Sequence, residues 1–154
     1  MQAIPLVRAS SICPVFDHLE QTGGQPSPWL LGAHALLHDP AALLPISTAG
    51  ALFEEAERIA GRKDFTLAAG LAVRILEYGD WGAVLARCDT VGRFVTQLIV
   101  SGRHFNSGQR FWSVQRGDEI WLHQRFSTHL TRGRKAAYEF ALPLLLSALR
   151  LATG

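Results

Sequence analysis

Cysteine is scarce in this chain: 154 residues carry two, Cys13 and Cys88. That excludes a disulfide framework, and both residues sit in apolar helical patterns with no partner spacing suggestive of a zinc site, so they read as buried thiols in a reducing compartment. Net charge is also small. Fifteen Lys and Arg against 13 Asp and Glu leave +2, too little to make a nucleic-acid surface, and the densest cationic run, Arg132-Gly133-Arg134-Lys135, reads as a solvated helix start. No apolar run approaches the roughly 18 residues of a membrane span. The N-terminus lacks the charged lead, apolar run and cleavage site of an export signal. A cytoplasmic protein without membrane attachment is therefore expected. Gly-x-Ser-x-Gly elbows, P-loops and Gly-x-Gly-x-x-Gly runs are missing too, which leaves an enzyme reading without a motif.

What is present is a series of helices, then a hairpin, then one long helix. Ser10 or Ser11 can cap a helix bearing Ile12, Val15, Phe16 and Leu19 that ends at Gly23-Gly24. Pro26-Ser27-Pro28 predicts a short helix through Leu30 and Leu31, and Asp39-Pro40 another that stops before Pro45. Ser47 is the expected cap of a helix whose stripe is Leu52, Phe53, Ala56, Ile59 and Ala60, closed by Gly61. Asp64 is expected to cap the next, which leads into Leu71–Leu76, a run compatible with either a helix end or a buried strand. Gly79 and Gly82 bracket an expected turn around Trp81, and Asp89 or Thr90 caps a helix with Phe94, Leu98 and Ile99.

Residues 109–116 and 119–126 alternate in strand formers around Arg116-Gly117-Asp118 and predict a hairpin. The favoured register pairs Val114 with Leu122, Trp112 with Gln124 and Arg116 with Ile120, leaving Ser113, His123 and Arg125 on the other face. From Arg134 to Leu151 a long helix is expected, bent at Pro143. The fold class is thus α+β, mostly helical, with one small antiparallel hairpin, and residues 1–154 read as one module without repeats or linkers.

Candidate chemistry is thin. His34 and His38 stand four apart with Asp39 adjacent, a spacing that could hold a divalent metal, but no third ligand is signalled and they read as surface or capping histidines. Cys88 beside a helix end reads as a structural thiol and not a nucleophile. No catalytic residue, metal or cofactor is expected. Trp81 and Trp112 suit an apolar pocket, for which Arg93, His104, His123 and Arg125 are the available polar anchors, especially for an anionic head group.

Asp64-Phe65-Thr66-Leu67, then Tyr78-Gly79-Asp80-Trp81-Gly82, then Asp89-Thr90-Val91-Gly92-Arg93-Phe94 resemble in order and spacing the N-terminal sensor half of one group of AraC-type transcription regulators. The resemblance begins at Val7-Arg8-Ala9-Ser10, runs through Leu30-Leu31, Asp39-Pro40 and Leu44-Pro45, and ends near Leu151, with departures at Thr66 and Val91. It implies an effector-binding and dimerisation domain, not an enzyme, that takes a small organic effector, pairs as a homodimer and meets DNA only through a helix-turn-helix half lying outside these residues. The rival classes are an effector-independent interaction module, which would have a packed interior, and a small enzyme, which would need titratable groups gathered in one cleft.

Overall fold

The structure is a computed structural model describing residues 4–153. Its α+β architecture follows the expected order. Among the described residues, seven α-helices surround one buried apolar cluster, and two small antiparallel sheets lie at its margins. The helices are α1 (Cys13–Gln21), α2 (Pro28–Leu37), α3 (Ile46–Ala60), α4 (Phe65–Ala72), α5 (Gly79–Ala86), α6 (Val91–Phe105) and α7 (Arg134–Thr153). Strands β1 (Leu6–Arg8) and β2 (Leu43–Pro45) form one sheet, and β3 (Gln109–Arg116) and β4 (Glu119–Phe126) the other.

The clearest sequence signals produce the elements they predict. Ser27 caps α2, accepting from the Leu30 N–H, with Pro28 opening the helix, and Thr90 caps α6 by accepting from the Arg93 N–H. Gly61 closes α3 in the left-handed conformation, and α7 carries Pro143 in its interior. The apolar stripe of α3, Leu52, Phe53 and Ala56, is buried, and the Phe53 ring meets Phe140 of α7 at 5.6 Å. The α3–α7 contact is tightest where Gly50 meets the residues leading into α7. A Cβ on Gly50 would strike the Arg132 carbonyl, and one on Gly133, whose φ is +60°, would strike the Gly50 carbonyl. Glu54 ties the same junction, accepting from the Gly133 N–H at 2.9 Å and the Arg132 guanidinium at 2.7 Å.

Other local expectations fail for identifiable reasons. Ser11 does not cap α1: its hydroxyl donates to the Arg8 carbonyl and serves the 3-10 turn Ala9–Ser11, so α1 starts from Ile12 with Pro14 in its first turn. Asp39-Pro40 starts no helix, because the Asp39 carboxylate accepts from the Ala41 N–H in an Asx turn and the chain then pairs as β2 with β1. Ser47 lies inside α3, which begins at Ile46, and the Asp64 carboxylate pairs with Arg62 and makes no capping bond. Helix α2 continues to Leu37, six residues past Leu31. Gly79 and Gly82 belong to helix α5 and not to a turn. Of the two alternatives for Leu71–Leu76 the helix end holds at its start, since α4 ends at Ala72, and the strand does not: Ile75–Tyr78 forms a 3-10 turn.

The hairpin has the expected strands in a register shifted by one residue. Trp112 faces His123, Val114 faces Trp121 and Arg116 faces Glu119. The connection is therefore the two-residue turn Gly117-Asp118, with Gly117 at φ +60°. A two-residue turn with glycine first has the twist of its flanking strands, whereas a three-residue loop would have put Glu119, not glycine, in the left-handed position. The shift reassigns the faces. Trp112, Val114, Trp121 and His123 share one, with the Trp112 and His123 rings stacked at 5.1 Å, while Phe111 and Phe126 on the other turn into the body.

Candidate functional site

The end of α6, the 3-10 turn and the first turn of α5 bring three aromatic rings together. Trp81 and Phe105 stack at 4.3 Å with 9° between their planes, and Tyr78 meets both edge-on at 6.1 and 5.8 Å. Offset and edge-to-face contacts of this kind match the ring quadrupoles. Hydrogen bonds fix two of the three: the Trp81 indole N–H donates to Ser101 Oγ at 3.0 Å, and the Tyr78 hydroxyl donates to the Ser11 carbonyl at 3.2 Å. Burial pushes the Tyr78 phenol well above its usual range, so it stays a neutral donor.

This aromatic wall separates two spaces. Inside is a cavity of about 70 Å³ walled by α3, α7, the base of the hairpin and Val7, with Phe53, Phe111, Phe126, Phe140 and Leu144 in its lining. Its polar groups are few, Ser11, Asn106, Gln109 and the Tyr78 hydroxyl, and Asn106 already accepts from the Gly108 N–H. Outside is an open groove of about 550 Å³ that shares Tyr78, Trp81 and Phe105 and adds Arg8, Ser10, Glu77, Asp80, Ser101 and His104. The Arg8 guanidinium lies 5.8 Å from the Phe105 ring centroid, and its Nη1 donates to the Pro40 carbonyl.

Of the six residues singled out from the sequence, Trp81 lies in the wall between the two spaces and His104 lines the outer groove. Arg93 lines a separate groove of about 480 Å³ between α5 and α6, with one nitrogen held between both Asp89 oxygens at 2.9 and 3.0 Å. Trp112, His123 and Arg125 share the outward face of the hairpin and do not line the cavity; Trp112 is 41% exposed. The sequence reading missed Tyr78, Phe105 and Arg8. Tyr78 and Arg8 both lie in segments that carry the resemblance, but Arg8 is more than 90 positions from Phe105 and joins it only through the pairing of β1.

Both thiols are buried. Burial, with Asp17 beside it, pushes Cys13 up to about 12, and burial raises Cys88 as well, which leaves both protonated and poor nucleophiles. Cys13 is not isolated: His38, from the end of α2, lies against its sulfur. Among the described residues no helix is long and apolar enough to cross a membrane.

No curated protein matches the chain. The family model of the N-terminal arabinose-binding domain of AraC transcription regulators matches residues 23–154, and the chain belongs to that family of regulatory sensor domains.

Proposed function

We propose that this AraC-type sensor domain binds an amphipathic organic acid, its apolar part in the inner cavity and its carboxylate in the outer groove near Arg8 and His104. The observation that carries the reading is the wall of Tyr78, Trp81 and Phe105, which divides an almost wholly apolar space from one whose lining includes the charged and polar side chains of Arg8, Glu77, Asp80, Ser101 and His104. A sugar buried in the inner cavity would leave several hydroxyls without partners, and each costs roughly 1–3 kcal/mol. A hydrocarbon tail incurs no such cost. At about 70 Å³ the cavity is smaller than the ~150 Å³ hollow that accepts benzene in a well-studied case, so it must widen to take a ring-sized ligand.

Binding would then act through α7. Its inward residues Ala137, Phe140, Ala141, Leu144 and Leu145 line the cavity, while Leu142 and Leu146, one turn apart, are exposed. We assign those two leucines to a homodimer contact, with Val100 of α6 as the rival face. An effector that fits one position of α7 better than another shifts the population of the dimer, and through it the linked DNA-reading half, by its difference in affinity.

The test is a thermal-shift and tryptophan-fluorescence titration with a series of aliphatic and aromatic acids, with arabinose alongside. An acid should raise the melting midpoint by mass action, and Trp81→Phe should weaken binding while leaving the protein folded. Binding of arabinose but of no acid, or an unchanged affinity in the folded Trp81→Phe protein, rejects the reading.

A further inference from the structure

Two pairs of metal-ligating side chains meet where α1 passes the end of α2. Cys13 and Asp17 are four residues apart on α1, and His34 and His38 are four apart at the end of α2, so each pair shares one helix face. Across the junction the Cys13 sulfur lies 3.3 Å from His38 Nδ1 and 3.6 Å from its Nε2, and on its own helix 3.6 and 3.7 Å from the Asp17 oxygens. His38 Nε2 is 4.0 Å from Asp17 Oδ1 and 3.2 Å from His34 Nε2. Ligand atoms of Cys13, Asp17 and His38 all lie within 4.8 Å of one another.

A tetrahedral zinc ion with bonds of about 2.0–2.3 Å separates its ligand atoms by roughly 3.3–3.6 Å. The Cys13, Asp17 and His38 spacings, 3.6–4.0 Å, lie at or just above that range, and His34 Nε2 stands 3.2 Å from His38 Nε2, so an ion drawn in by the first three has His34 at hand as a fourth ligand. One thiolate, one carboxylate and two imidazoles give two negative charges and a borderline-soft donor set, which suits a divalent transition metal and not calcium or magnesium. The position also explains what such an ion would do. Only Leu30 and Leu37 of α2 are buried, while Trp29, Leu31 and Leu36 are exposed, so the helix has a slender apolar attachment to the body.

We propose that Cys13, Asp17, His34 and His38 form a site for a divalent transition metal, zinc in the first instance, that fastens the end of α2 to α1. The site is separate from the aromatic wall and does not depend on the effector reading.

Cobalt(II) is the probe. Titrated into the reduced, chelator-stripped chain, it should bind at one equivalent, giving the visible bands of a tetrahedral ion and a near-ultraviolet thiolate-to-cobalt charge-transfer band that zinc abolishes. Cys88→Ser should keep that band and Cys13→Ser should lose it. His38→Gln changes an exposed ring and should leave the metal-free melting midpoint in place. It should weaken cobalt binding by at least the ~100-fold that loss of an outer-shell partner alone can reach. If Cys13→Ser does not fold, His34→Gln and His38→Gln decide. A folded, reduced protein without a thiolate band at stoichiometric cobalt overturns the proposal, as does His38→Gln binding cobalt as tightly as the unsubstituted chain.

Discussion

The body around α3 and α7 and the β3–β4 hairpin are built from similar residues to opposite effect. In the body, aromatic rings are enclosed: Phe53, Phe140 and Tyr78 are buried, and backbones approach closely where Gly50 meets Gly133. In the distal hairpin Trp112, Val114, Ile120, Trp121 and Leu122 are all exposed, and the rings find partners within the hairpin itself, His123 for Trp112 and the Arg116 guanidinium for Trp121. Aromatic content therefore does not locate the core. What decides is whether a second element covers the face.

The contrast breaks hardest at the glycine junction. Gly133→Ala adds a Cβ both to a backbone at positive φ and against the Gly50 carbonyl, and is expected to cost about 3 kcal/mol, measured by urea unfolding. Next comes the pair of indoles. Trp81→Ala opens the wall between cavity and groove and should cost about 2–3 kcal/mol. Trp112→Ala removes a cross-strand contact and should cost under about 1 kcal/mol. Equal losses at the two positions would mean that the hairpin is as tightly held as the body.

The smallest effect concerns two carboxylates on α3. Glu54 is held below the usual carboxylate range chiefly by the Gly133 N–H, whereas burial raises Glu57, which accepts from the Thr66 hydroxyl. A lowered native value gives stability that is present at neutral pH and lost as pH falls through it; a raised one gives stability present in acid and lost as pH rises. Glu54→Gln should thus weaken the protein by about 1 kcal/mol near neutrality and less in acid. Glu57→Gln should be neutral or slightly stabilising near neutrality. Urea midpoints at neutral pH and near pH 3.5 separate the two.

Sequence patterns disclosed the elements whose causes are local: the helix start at Pro26-Ser27-Pro28, the cap at Asp89 or Thr90, the Gly61 stop, the strand alternation at 109–126. They misplaced elements decided by distant partners. Nothing near Leu43 announces a strand, because its partner is β1, and Asp39-Pro40 has the pattern of a helix start although the Asp39 carboxylate closes a turn. The hairpin register failed on one dihedral angle, that of Gly117, and with it went the face of His123 and Trp112. At the site, Trp81 was legible from composition, but Arg8 and Phe105 share a groove only after the chain has folded back. The Cys13 and His38 contact was illegible for the same reason, since 25 positions separate them.

β1 sets the order in which this chain can assemble. Leu6 exchanges hydrogen bonds with Ser107 Oγ, its carbonyl also accepts from the Gly108 N–H, and Val7 bridges to Asn106. Hairpins with two-residue turns close in roughly 1–10 μs, but β1 has to wait for partners 101 residues downstream. At ribosomal speeds of about 5–20 residues per second that wait lasts roughly 5–20 s. Throughout it β1 presents an edge whose outer partner has not yet been made, so this strand is where a chaperone or a misplaced strand has its longest opportunity.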